Sequence, residues 1–152
     1  MMVAAYSEEE VMISCDGVSI QGSLVIPKHP VGLVIFAHGS GSSRFSHRNN
    51  FVARFLNQGG FATLLLDLLL PSEDRDIENR FNIQLLSSRL AAAALWAKEI
   101  EGTKMLALGL FGASTGAAAA LQCAGDIQNT GKKNIFAVVS RGGRPDLADS
   151  ST

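Results

Sequence analysis

Ser114 stands at the centre of Gly112-Ala113-Ser114-Thr115-Gly116, a G-x-S-x-G arrangement between an alternating apolar run, "MLALGLFG", and the alanine-rich "STGAAAALQCAG". A serine hydroxyl is set up as a nucleophile when a sharp turn from strand to helix lifts it clear of the backbone, and such a turn accepts only small neighbours. Gly112, Ala113 and Gly116 supply them. The first amides of the following helix point at the same spot, so the N–H of Thr115 is a candidate donor to a developing oxyanion. A second donor is expected from the loop after an earlier strand. "HGSGSS" (38–43) occupies that place, with Ser40 offering its N–H, while Gly39 and Gly41 let the backbone approach a substrate closely.

Such a serine needs a base, yet His29, His38 and His47 all precede it and no histidine follows. His38 reads as a packed histidine beneath the glycine-rich loop, and His47 as a solvent-facing residue at a helix start. The carboxylates after Ser114 in the candidate set are Asp126, Asp146 and Asp149. Asp67, at the end of a strand, reads as a residue that orients a loop. Arg141 and Arg144 flank Gly142-Gly143 just after the last strand, where α/β sheets carry their substrate loops; Arg141 is a candidate substrate contact, with a solvated loop arginine as the competing reading.

The elements that must hold these groups are legible in the pattern of apolar residues. "VMISCDGVSIQGSLVIP" alternates on both sides of Asp16-Gly17, the dipeptide suited to a tight hairpin turn. "GLVIFAH" (32–38) and "FATLLLDLLL" (61–70) are continuous apolar runs, as expected of strands covered on both faces. Helical spacing runs through Phe51, Phe55 and Leu56 to Gly59-Gly60, and again through Phe81, Leu85, Leu86, Leu90, Ala94 and Trp96 to about Ile100. Pro71 stops the second long strand, and 72–76 reads as loop or cap. Strands at 105–112 and 135–140 bracket the alanine-rich helix. Strand and helix therefore alternate from Gly32 onward, which predicts a mostly parallel sheet after an antiparallel hairpin, with helices on both faces.

Two other readings compete for the serine segment and its neighbour. Gly112 and Gly116 form G-x-x-x-G in a stretch without charge between Lys104 and Asp126, the pattern of a transmembrane helix seam. That stretch has few strong insertion promoters, which leaves insertion marginal. "GSGSSR" after a strand, with Asp67 at the next strand end, resembles a dinucleotide fingerprint, but the third glycine is replaced by Arg44.

With its elbow and its glycine-rich loop in this order, the chain resembles the α/β-hydrolase superfamily. "GLVIFAHGSGSS", "ATLLLDLL", "LGLFGASTGAAAAL" and "AVVSRGGRPDL" look closest to the dienelactone-hydrolase-like branch, and the likeness runs from the hairpin to Leu147. It implies a three-layer α/β-hydrolase sheet and a serine hydrolase of small esters or lactones, without cofactor or metal. Ser114 would be the nucleophile and the Thr115 and Ser40 amides the oxyanion hole. Serine stands where many dienelactone hydrolases carry cysteine. The family's triad continues Ser, acid, His on loops after later strands. Residues 1–152 are therefore expected to form one α/β-hydrolase domain, C-terminally truncated and impaired in catalysis; a non-catalytic binding module of the same fold is the alternative. An internal strand turned into an edge at 135–139 is expected to drive self-association.

The remaining composition excludes more than it assigns. A net charge of -1 and a pI near 6.3 give no reason to expect nucleic acid or an anionic membrane surface as partner. Cys15 and Cys123 are too few for a disulfide framework and fit a cytoplasmic location. "MMVAAYSEEE" lacks the basic region of a secretory signal.

Overall fold

The computed structural model describes residues 6–131 and 135–148. Asp149, one of the candidate acids, lies outside them. β1 (Tyr6–Cys15) and β2 (Val18–Pro27) form the expected hairpin. Asp16 and Gly17 both take positive φ, +46° and +82°, which a two-residue turn matched to strand twist requires. Alternation decides the faces: Ile13, Cys15, Ile20 and Leu24 are buried, while Met12 and Gln21 face solvent.

β3 (Gly32–Ala37), β4 (Phe61–Leu66), β5 (Leu108–Ala113) and β6 (Ile135–Arg141) are parallel, and the sheet order is β1-β2-β4-β3-β5-β6. β2 joins β4 antiparallel. On one face, α4 (Ile83–Ala97) and α5 (Thr115–Asn129) cover the main core, in which Leu64, Leu66, Leu90, Leu108 and Leu110 are sealed from water. On the other face, α1 (His47–Gln58) covers a smaller cluster of Phe36, Ala53, Leu65 and Phe111, with the two rings 5.0 Å apart. This is the expected three-layer α/β sheet, mostly parallel after an antiparallel hairpin. Its four parallel strands end on one side, so the loops after β3, β4, β5 and β6 converge there.

Several details differ from the pattern-based expectation. β4 stops at Leu66, not Leu70, because Asp67 to Leu70 spend their polar groups elsewhere. The N–H of Leu68 donates to His38 and its carbonyl accepts from Arg89. The stretch 72–76, read as loop or cap, lies in and after a single-turn helix, α2 (Pro71–Asp74), and a second single turn, α3 (Ile77–Arg80), follows it. α4 starts after Asn82, whose side chain accepts from the N–H of Leu85, and Phe81 lies outside it. In α1, Phe51 and Phe55 face solvent and the buried positions are Asn49, Ala53 and Asn57. Asn57 donates to the Phe61 carbonyl and to Thr63 Oγ1, both at 3.0 Å, which turns the amide side of the helix inward. The segment with the G-x-x-x-G spacing is a strand followed by a helix, and no helix of the described residues is long and apolar enough to cross a membrane.

Candidate active site

Ser114 is the pivot between β5 and α5. Its φ of +55° with ψ of -121° is a conformation that L residues rarely adopt, and it holds because the surroundings leave no other path. The N–H of Ser114 donates to the carbonyl of Arg141 on the neighbouring strand at 3.2 Å, and its own carbonyl accepts from Ala117 N–H at 3.0 Å. The side chain is left exposed. Gly112 and Gly116 are dictated by contact: a Cβ on Gly112 would strike Ala117 Cα and the Gly116 carbonyl, and one on Gly116 would strike the Ala37 carbonyl oxygen. Helix α5 thus lies directly against the ends of β3 and β5.

The glycine-rich loop lies over the same point. A Cβ on Gly39 would sit 3.2 Å from Ser114 Cβ and 3.9 Å from its Oγ. Gly41 takes φ +73°, which lets the loop curl back. Gly39, Ser40, Gly41 and Thr115 share the wall of a cavity of about 10 Å³ behind the elbow. The Thr115 hydroxyl is buried there without a hydrogen-bond partner among the described residues. Ser114, Thr115, Gly39, Ser40 and Gly41 therefore form one constellation.

His38 is at the centre of this loop's support. Leu68 N–H donates to Nε2 at 3.0 Å, so that nitrogen carries the lone pair, and Nδ1 then donates to the Gly39 carbonyl at 2.8 Å. Burial pushes its pKa down from the usual histidine range, partly offset by the bond to Gly39. With both nitrogens occupied, it is a packing and loop-holding residue, as the sequence reading had it. His47 opens α1 in solvent, and His29 lies on the β2–β3 connection at the opposite end of the sheet. Among the described residues no imidazole is hydrogen-bonded to Ser114.

The carboxylates are likewise engaged elsewhere. Asp67 accepts the Arg44 N–H at 2.7 Å and pairs with the Arg44 guanidinium, whose Nε also meets Glu10 at 3.1 Å. This fastens the loop after β3 to the end of β4, the orienting role expected of Asp67. It also explains Arg44 in place of a third glycine. Asp126 accepts from Gln122 along α5, and Asp146 is paired with Arg144 on the surface at 2.8 and 2.9 Å.

Arg141 is better placed than its sequence context showed. Its Nη2 donates to Asn49 Oδ1 at 2.9 Å, and its guanidinium carbon stands 5.5 Å over the Phe111 ring. Its backbone carbonyl is the partner of Ser114 N–H, so the cation is held beside the elbow on the α1 side. Asn49 was not legible as a site residue. Its only signal is an amide on a helix face that a purely apolar packing rule would fill with a hydrophobe.

No family model matches the chain. Among solved structures, a dienelactone hydrolase from Anabaena variabilis is 49% identical, with a TM-score of 0.88, over 96% of this chain and 68% of its own. Est1E from Butyrivibrio proteoclasticus is 20% identical with a TM-score of 0.69, over 85% of this chain and 48% of its own, a likeness of fold alone. Two curated Mycobacterium tuberculosis proteins named "Putative phosphoribosyl transferase", from strains CDC 1551 and H37Rv, are 52% identical over 144 residues. That match takes in 95% of this chain, which spans about a third of the length of those relatives (32%).

Proposed function

The chain belongs to the dienelactone hydrolase family of α/β-fold hydrolases, and on that premise we propose that it attacks small esters or lactones through Ser114. The strained, exposed serine between Gly112 and Gly116 is the observation that carries this reading. In the proposed step the Ser114 oxygen adds to the substrate carbonyl and the hydroxyl proton leaves to a base. The new oxyanion is held by the N–H groups of Thr115 and Ser40. The loop is supported from beneath by the neutral His38 and laterally by the Arg44–Asp67 pair. Arg141, fixed by Asn49, would meet an anionic group on the substrate. The general base is not supplied by the described residues. Oxyanion-hole and binding terms alone leave catalysis on the order of 10³ over water in well-studied serine proteases, so acylation by an activated substrate is expected even so.

A fluorophosphonate probe tests this. Labelling that is lost in Ser114→Ala and weakened about tenfold by Gly39→Val, which crowds the oxyanion loop, supports it. The unengaged serine also favours a second reading, a hydrolase fold that binds but does not turn over. A folded protein that resists the probe yet gains thermal stability from a small lactone would select that reading. The name of the mycobacterial relatives describes chains three times as long, and the segment matched here carries the hydrolase elbow.

The proposal extends to assembly and location. Among the described residues β6 bonds only to β5 and presents Phe136 and Val139, 75% and 51% exposed, at the sheet margin. Pairing of Ile135 to Val139 with the same strand of a second copy would satisfy this edge. Size-exclusion chromatography with light scattering is expected to show dimers or larger species at micromolar concentration; a monomer with a cooperative melt would overturn it. Two buried, unpaired cysteines support a cytoplasmic location.

A further inference from the structure

A second concave site lies away from the elbow, between the β1–β2 turn and the C-terminal half of α4. It has a volume of about 420 Å³, in the range of small-molecule sites. Its apolar wall is Ala91, Ala92, Leu95 and the indole of Trp96. Its charged groups are the carboxylates of Asp16 and Glu99, and no lysine, arginine or histidine lines it. Neither carboxylate forms a salt bridge among the described residues. Arg89, whose charge acts on Asp16, is bonded to Glu73 at 2.7 and 2.9 Å and to the Leu68 carbonyl and does not line the cleft. Leu95 is 58% exposed, and the cleft opens to solvent.

Trp96, an apolar floor and two carboxylates outside any salt bridge, with no cation in the lining, make a complementary surface for one chemical class. A cation over an indole is attracted by the ring's quadrupole, and an acidic rim adds to that attraction, while an anion is repelled. We propose that this cleft binds small organic cations, amines with an apolar body, the ammonium between Asp16 and Glu99 and the body along Trp96, Leu95 and the two alanines. The site is independent of Ser114 and of the hydrolase reading.

Trp96 is the single tryptophan of the chain, so its fluorescence reports on this cleft alone. Titration with phenethylammonium is expected to give a saturable change in emission, about tenfold tighter than with phenethyl alcohol and absent with 3-phenylpropanoate. The Asp16→Asn, Glu99→Gln double variant should lose that preference. Asparagine tolerates the left-handed backbone that position 16 adopts, so the turn is kept. Leu95→Lys, at an exposed position, provides a second check by placing a tethered cation in the cleft, which should block the amine. A non-saturable response, equal binding of amine and alcohol, or unchanged selectivity in both variants would overturn the proposal.

Discussion

Replacing Gly116 by alanine is expected to cost the protein about 3 kcal/mol or more, and by valine to abolish the folded state. The reason is contact with main chain rather than backbone angle. A Cβ there would overlap the Ala37 carbonyl oxygen and lie 2.6 Å from that of His38 and 2.7 Å from the Ala37 carbonyl carbon. None of these atoms can rotate away, because β3 is hydrogen-bonded on both sides, to β4 and to β5. Helix α5 would have to move off the sheet, taking Ala117 to Ala120 out of the core. For a chain of this size the alanine variant should melt roughly 6 to 12 °C lower. Gly109→Ala is the control: its nearest neighbour would be the Ala137 carbonyl oxygen at 3.6 Å, an ordinary contact. A Gly116→Ala protein melting as the parent does would show that the elbow is looser than described.

The second large effect is expected at Glu73. Arg89 is 5% exposed, and its guanidinium is satisfied by Glu73 at 2.7 and 2.9 Å and by the Leu68 carbonyl at 3.2 Å. The same carboxylate accepts the Leu70 N–H at 2.9 Å, which closes α2. Glu73→Gln leaves a buried charge without its counter-ion, and the loss should be about 3 kcal/mol, the low end for broken buried pairs because Glu73 itself is 22% exposed. The pH profile checks the mechanism. The hydrogen bonds from Arg89 hold the Glu73 carboxyl below its usual 4.5, so its contribution is full above that pH and disappears as pH falls through the lower folded value. His38 acts in a higher window with the same sign. Its folded pKa lies below 6.5, so the unfolded chain takes up that proton first and stability declines as pH drops below 6.5. Urea midpoints should therefore fall in two stages in the parent protein, and Glu73→Gln should keep the upper stage and lose the lower. Parallel profiles would refute the assignment.

The two variants probe features of very different legibility. Gly112 and Gly116 announced themselves, because a serine on a tight strand-to-helix turn leaves room for nothing larger, and that requirement is local. The Asp16-Gly17 turn, the alternation of β2 and the two-faced burial of β3 and β4 were likewise readable, since each depends on backbone angles or on a period of a few residues. With them came the layer order of the sheet and the convergence of Ser114, Thr115 and the 39–41 loop. What the sequence could not reveal is how polar side chains choose partners across long separations. Arg89 and Glu73 are 16 residues apart, and nothing in their local sequence pairs them. Asn49 and Arg141 are 92 apart, and only their meeting beside Phe111 gives the arginine a fixed place near the elbow. The early end of β4 and the outward turn of Phe51 and Phe55 have the same origin. Apolar burial is non-directional, so its pattern survives in one dimension. Hydrogen bonds and ion pairs need an atom at a set distance and angle, and only the packed chain supplies it.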